Sequence, residues 1–142
     1  MDDLELSISR NIAAPREKVF KAWLSPDMLA QFMAPPSGGA APSIVSNDPV
    51  EGGRFSIVMI TAEKQIPHSG TYLEIAPFSR LAFTWQSPHS LDDSVVTIDF
   101  QDSGDGRTEI TLKQMKFRSE QLRDGHREGW NTIFTNLEAL LG

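Results

Sequence analysis

Ser119-Glu120-Gln121-Leu122-Arg123-Asp124-Gly125-His126-Arg127-Glu128-Gly129-Trp130-Asn131-Thr132-Ile133-Phe134-Thr135-Asn136-Leu137-Glu138-Ala139-Leu140-Leu141 is the stretch whose reading decides the fold. At about 100° per residue, Leu122, His126, Gly129, Trp130, Ile133, Leu137, Leu140 and Leu141 fall in one broad stripe, and Arg127, Glu128, Asn131, Thr135 and Glu138 cover most of the other side. Ser119 stands where a helix cap belongs. The spacing predicts one long amphipathic helix, and such a helix must bury its stripe against another layer.

Working back from that helix, the layer reads as a sheet. Thr108 to Met115 and Ser94 to Phe100 flank Ser103-Gly104-Asp105-Gly106, and Asp-Gly between alternating runs signals a hairpin. Ile110, Leu112 and Gln114 share one face. Leu81 to Gln86 puts Leu81, Phe83 and Trp85 on one face, and Pro77-Phe78-Ser79 turns back to Gly70 to Ile75. Arg54 to Thr61 puts Phe55, Ile57 and Met59 on one face, after a turn at Glu51-Gly52-Gly53 and a short strand from Ser43 to Asn47. Ala34 to Pro42 holds three prolines and two glycines, which forbid helix or central strand and predict an internal loop.

At the other end, residues 4–12 alternate. Leu4, Leu6, Ile8 and Ile12 face one way, with Arg10 the one polar residue among them. Pro15 then opens a helix with Val19, Phe20, Trp23 and Leu24 on its apolar side. Ser25-Pro26-Asp27 breaks it, and Ser25 caps a second short helix through Met28, Leu29 and Phe32. The predicted order is β-α-α-β-β-β-β-β-β-α. This is an α+β fold in which a curved antiparallel sheet of six or seven strands grips the C-terminal helix. One domain spanning residues 1–142 is expected.

Composition narrows the function. The chain has 142 residues, a net charge of −6 and no cysteine. The acidic balance argues against nucleic acid or an anionic membrane as partner. No apolar run reaches the roughly 20 residues of a membrane span, and the N-terminus lacks the basic and apolar regions of a signal peptide, so a cytoplasmic location is expected. No metal is expected: His68, His89 and His126 lie in unrelated segments, and no thiolate is available. Asp92-Asp93 and Asp102 with Asp105 lack the spacing of a calcium loop. Glu51-Gly52-Gly53-Arg54 precedes a strand, not a helix, so no phosphate cradle and no cofactor is expected. Arg54 and Arg80 stand at strand starts, where solvation or ion pairing is expected.

Several runs, taken in order, resemble a known family. They are Ile12-Ala13-Ala14-Pro15-Arg16-Glu17-Lys18-Val19-Phe20-Lys21-Ala22-Trp23, Glu51-Gly52-Gly53-Arg54-Phe55, Gly70-Thr71-Tyr72-Leu73-Glu74-Ile75, Arg80-Leu81-Ala82-Phe83-Thr84-Trp85 and His126-Arg127-Glu128-Gly129-Trp130. Over nearly its whole length the chain resembles the START-like (helix-grip, SRPBCC) superfamily. Within it, the chain resembles the homologues of the activator of the heat-shock-chaperone ATPase. The resemblance implies a cavity between sheet and long helix. It also implies a choice among roles: holding a small hydrophobic, lipid-like or aromatic molecule, acting as a co-chaperone in the stress response, or cyclase or dehydratase chemistry. Gln114 stands where many relatives carry histidine.

The expected inward set is Trp23, Phe32, Met33, Phe55, Met59, Trp85, Gln114, Met115, His126, Trp130 and Phe134. Aromatic rings stack on a flat apolar ligand, methionines adapt to it, and a few polar groups orient it. The plainer alternative is that these residues are ordinary core, which a domain of this size needs for stability. His126 has two readings: a hydrogen bond or proton shuttle to a ligand, or a core histidine bonded to a backbone carbonyl or to Gln114. Gly125 and Gly129 each cost about 1 kcal/mol relative to alanine inside a helix, and close packing is expected at Gly129. Non-enzymatic binding or sensing of a small hydrophobic molecule is the favoured role, with no catalytic residue assigned. The alternatives are a protein-interaction module with a chaperone as partner, and an enzyme using His126 with Gln114 or Tyr72.

Overall fold

A computed structural model describes residues 5–33, 41–61, 65–86, 94–115, 117 and 119–141. The elements are β1 (Glu5–Ile12), α1 (Arg16–Ala22), α2 (Pro26–Phe32), β2 (Ala41–Asn47), β3 (Arg54–Ile60), β4 (Gln65–Ala76), β5 (Arg80–Thr84), β6 (Val95–Gly104), β7 (Arg107–Met115) and α3 (Glu120–Leu141). The strands form one seven-stranded sheet in the order β1-β7-β6-β5-β4-β3-β2, each pair antiparallel. This is the predicted order, with the C-terminal helix against the sheet. No described helix is long and apolar enough to cross a membrane.

The local signals act as their chemistry requires. Ser25 Oγ accepts from the Met28 N–H and Ser119 Oγ from the Leu122 N–H, so both predicted caps form. Asp105 and Gly106 take positive φ in the β6–β7 turn, the conformation that makes Asp-Gly a hairpin signal. Arg10 on β1 resolves the polar exception in its strand. Its guanidinium reaches across to α3, with Nη1 2.9 Å from Glu138 Oε1 and 3.3 Å from Thr135 Oγ1, and Nη2 3.4 Å from Asn131 Oδ1.

Several strand ends differ from the sequence reading: β6 runs on to Gly104, β5 stops at Thr84, and two strand starts shift at a proline. β4 begins at Gln65 and runs through Pro67, which pairs with Val58 of β3. β5 joins β4 only over Tyr72–Ala76, so Pro67 lies where β4 has a ladder on one side and its missing N–H is tolerated. β2 begins at Ala41 and includes Pro42, inside the expected loop; β2 is an edge strand, where proline is also accommodated. Residues 34–40 of that loop lie outside the described residues, as do Leu4, His89 and Asp92-Asp93.

The long helix is uneven. Its buried residues are Trp130, Ile133, Phe134, Leu137 and Leu141, all from its middle onward. Leu122, His126 and Gly129 are only half-buried. The expected close packing at Gly129 is not found: a Cβ there, or at Gly125, meets nothing within 4 Å among the described residues. Both glycines therefore weaken the helix with no packing in return.

Candidate functional site

Strand alternation aims Phe55 and Ile57 from β3, Tyr72 from β4, and Phe83 with the following Trp85 from β5 at the helices. Trp23, at the C-cap of α1, and Leu29 and Met33, from α2 and its C-cap, close over them. These eight side chains line a small internal cavity. The space open to the centre of a water molecule is about 10 Å³, so the closed site has room for about one water.

The wall is held by ring contacts. Phe55 and Phe83 meet edge to face at 5.3 Å, Phe55 and Tyr72 at 5.3 Å, and Trp85 and Trp130 at 5.0 Å. Phe32 packs edge-on to Trp23 at 5.1 Å, and Phe134 meets it at 6.2 Å. Gly70 makes room for this arrangement: a Cβ there would stand 2.7 Å from Phe55 Cε2 and Cζ, and closer still to the Thr84 carbonyl.

The polar groups around this wall have different fates. Trp130 Nε1 donates to Gln114 Oε1 at 2.8 Å, Gln114 Nε2 donates to Ser94 Oγ at 3.0 Å, and Ser94 Oγ donates to the Met115 carbonyl at 2.7 Å. Gln114 is fully buried because both ends of its amide are used. Trp23 is 3% exposed, and its Nε1 has no hydrogen-bond partner among the described residues. Asn47 Nδ2 donates to Tyr72 Oη at 3.1 Å and to the Leu24 carbonyl at 2.9 Å, tying β2 to β4 and to the end of α1. Burial pushes the Tyr72 hydroxyl above its ordinary pKa of 10.0; the Asn47 hydrogen bond opposes this and the Asp48 charge adds to it.

Of the predicted set, Trp23, Met33, Phe55 and Trp85 line the cavity. Phe32, Phe134, Trp130 and Met59 are buried but outside its lining. Gln114 is likewise buried and committed to Trp130. Met115 is a correction: it is 43% exposed on the outer face, because neighbours in a strand point to opposite sides and Gln114 points in. His126 is half-buried, with Nδ1 2.8 Å from the Leu122 carbonyl and its ring 5.0 Å from Phe117. The backbone-carbonyl reading of His126 is the one this geometry matches.

Leu29, Ile57, Tyr72 and Phe83 line the cavity without having been in the predicted set. Ile57 and Phe83 share strand faces with Phe55 and Trp85, so parity alone would have found them. His68, buried on β4 with its ring 4.9 Å from that of Trp85, was also outside the set. Among the described residues no group of three or more His, Cys, Asp or Glu side chains is placed to hold a metal ion. Arg80 Nε pairs with Asp99 Oδ1 at 2.7 Å, and Arg54 Nη1 donates to Thr71 Oγ1 at 3.4 Å, so both arginines are engaged on the sheet.

Comparison with known proteins agrees with this architecture. The family profile described as Activator of Hsp90 ATPase homolog 1-like protein matches residues 13–142. Protein CV1439 of Chromobacterium violaceum is similar in structure with a TM-score of 0.81 at 21% identity, over 96% of each chain. Protein NE0264 of Nitrosomonas europaea is similar with a TM-score of 0.77 at 27% identity, over 97% of this chain and 94% of that one. Protein MLL2253 of Mesorhizobium loti is similar with a TM-score of 0.78 at 26% identity, over 97% of this chain and 96% of that one. A search of the curated proteins found no match. With the profile covering all but its first residues, and with this sheet and helix order, the chain belongs to the family of Activator of Hsp90 ATPase homolog 1-like proteins, on a START-like helix-grip fold.

Proposed function

We propose that this protein binds a small, flat, apolar molecule beside Trp23, between the sheet and α2, and acts as a carrier or sensor without chemistry of its own. The observation that carries the reading is the cavity wall: eight large side chains, mostly aromatic, meet there around residual space. Rings of this kind give a flat ligand offset and edge contacts, and Met33 adapts its shape to the occupant. The closed volume requires that a ligand displace these side chains, so binding is coupled to a shift of the wall.

The test is a thermal-shift panel of fatty acids, sterols and flat aromatic phenols. A ligand at 100 times its dissociation constant stabilises by about 2.7 kcal/mol. For a chain of this length that is a rise of about 10 °C in Tm. A rise confined to one chemical class supports the reading. A folded sample that shows no rise with any class overturns it.

One observation favours a second reading, a protein-interaction module of the co-chaperone kind. Ile44, Val58 and Pro67 align across β2, β3 and β4 on the outer sheet face, and Ile44 is 57% exposed. The family's description points to a chaperone as the partner. Capture of an Hsp90-class chaperone by the wild-type chain, lost with Ile44→Asp, would put this reading ahead of the first.

A further inference from the structure

The lining of the cavity is asymmetric in its hydrogen-bonding chemistry. Trp23 is one of the eight described lining side chains; its indole N–H is a donor only, and it is buried with no partner among the described residues. Tyr72 is the other polar lining residue; its oxygen accepts from Asn47, which leaves its own proton to donate. Burial keeps that proton in place by raising the pKa of the hydroxyl. The remaining lining side chains are Leu29, Met33, Phe55, Ile57, Phe83 and Trp85. None brings a carboxylate, an amide or an aliphatic hydroxyl to the wall. The described lining side chains therefore carry two donors, and Tyr72 Oη, already accepting from Asn47, is the one oxygen among them.

Trp130 shows that this fold can satisfy a buried indole when the role is structural, since Gln114 is placed 2.8 Å from its Nε1. Trp23, with its ring centre 6.4 Å from that of Trp130, has no such partner among the described residues. A buried donor left unpaired costs free energy that an acceptor brought by a ligand would recover.

We propose that the occupant of this cavity is an apolar ring compound carrying an acceptor-only oxygen, a ketone or quinone carbonyl, that receives the hydrogen bond of Trp23 Nε1. The proposal rests on the reading of the cavity as a ligand site. It predicts selection against two kinds of compound: plain hydrocarbons, which leave Trp23 unpaired, and amines, whose donors would compete with Asn47 for the one oxygen among the described lining side chains.

The test uses a matched pair of probes, indane and 1-indanone, which share a bicyclic frame and differ in the carbonyl. Both are titrated into the wild-type chain and into Trp23→Phe, with the indole N–H signals of the three tryptophans followed by NMR. The expected result is that 1-indanone moves the Trp23 signal downfield while indane does not. The preference for 1-indanone over indane should also fall about five- to tenfold in Trp23→Phe, the usual size of one net hydrogen bond. If both probes bind, the Trp23 signal ignores the ketone and the preference is the same in both chains, the acceptor proposal is overturned and the cavity reading stands. If neither probe binds while another class of the thermal-shift panel does, the acceptor proposal alone is overturned; if neither binds and that panel is silent, the cavity reading fails and the proposal with it. Should Trp23→Phe fail to fold, the wild-type indole signal decides alone.

Discussion

Trp23 and Trp130 are neighbours in one interior, 6.4 Å between ring centres, yet the fold treats them in opposite ways. Trp130 sits in the half closed by β6, β7 and α3, where Trp130, Gln114 and Ser94 each donate to the next group in a relay that ends on the Met115 carbonyl. Trp23 sits in the half closed by α1, α2 and β3 to β5, where residual space remains and its indole N–H is unpaired among the described residues. The first half is built to stay shut: a satisfied buried network is rigid, and disturbing it is costly. The second keeps an unmet donor and residual space, the two features on which the proposed guest site rests.

The largest effect expected from this comparison is a difference between two like substitutions. Trp130→Phe removes a donor and strands Gln114 Oε1 in the core, so it should lower stability by about 2 kcal/mol beyond the loss of ring size. Trp23→Phe breaks no protein hydrogen bond and should cost only the smaller ring, about 1 kcal/mol or less. Urea unfolding of both variants measures this, and equal losses would break the comparison.

A smaller effect, of opposite sign, sharpens it from the Trp130 side. Gly129 precedes Trp130 in α3 and has open space where a Cβ would stand. Gly129→Ala should therefore raise stability by about 0.5–1 kcal/mol, through helix propensity and the unfolded chain's lost freedom. A fall in stability would mean that the glycine is needed for a motion or a contact.

The smallest effect lies on the Trp23 side and is seen only in alkali. The folded-state pKa of Tyr72 lies above the unfolded value of 10.0, mainly because the hydroxyl is buried. Between those two values the folded chain holds more protons than the unfolded one, so stability is full below about pH 10 and falls as pH rises through the folded pKa. Tyr72 is the chain's only tyrosine, so tyrosinate absorbance reports it alone. The titration midpoint should lie above 10.0 in the folded protein, and Tyr72→Phe should lose this share of the alkaline fall. A midpoint at or below the ordinary value would contradict the burial of the hydroxyl.

Much of this architecture was legible because it rests on local chemistry. The stripe in α3, the caps at Ser25 and Ser119, the Asp-Gly hairpin and the inward parity of Phe55, Leu81 and Trp85 depend on residues a few positions apart. The site was only partly legible, because it depends on register and on which helix covers which strand. Gln114 and Trp130 meet only once β7 and α3 are packed, so nothing in the order of residues separates Trp130, which has a partner, from Trp23, which has none among the described residues. Met115 was misplaced where parity could have corrected it, since Gln114 and Met115 cannot both face inward. Arg10 breaks the apolar pattern of its strand because its partners, Glu138, Thr135 and Asn131, lie on α3, more than 120 positions away in the chain.

The central claim, that the interior beside Trp23 takes a guest while the interior beside Trp130 stays shut, is tested most directly by the three indole N–H resonances during titration with the strongest binder of the thermal-shift panel. The account predicts that the signals of Trp23 and Trp85 shift with saturation, while the Trp130 signal keeps its hydrogen-bonded position. A titration that moves Trp130 and leaves Trp23 unchanged, or one in which no indole responds, would contradict it.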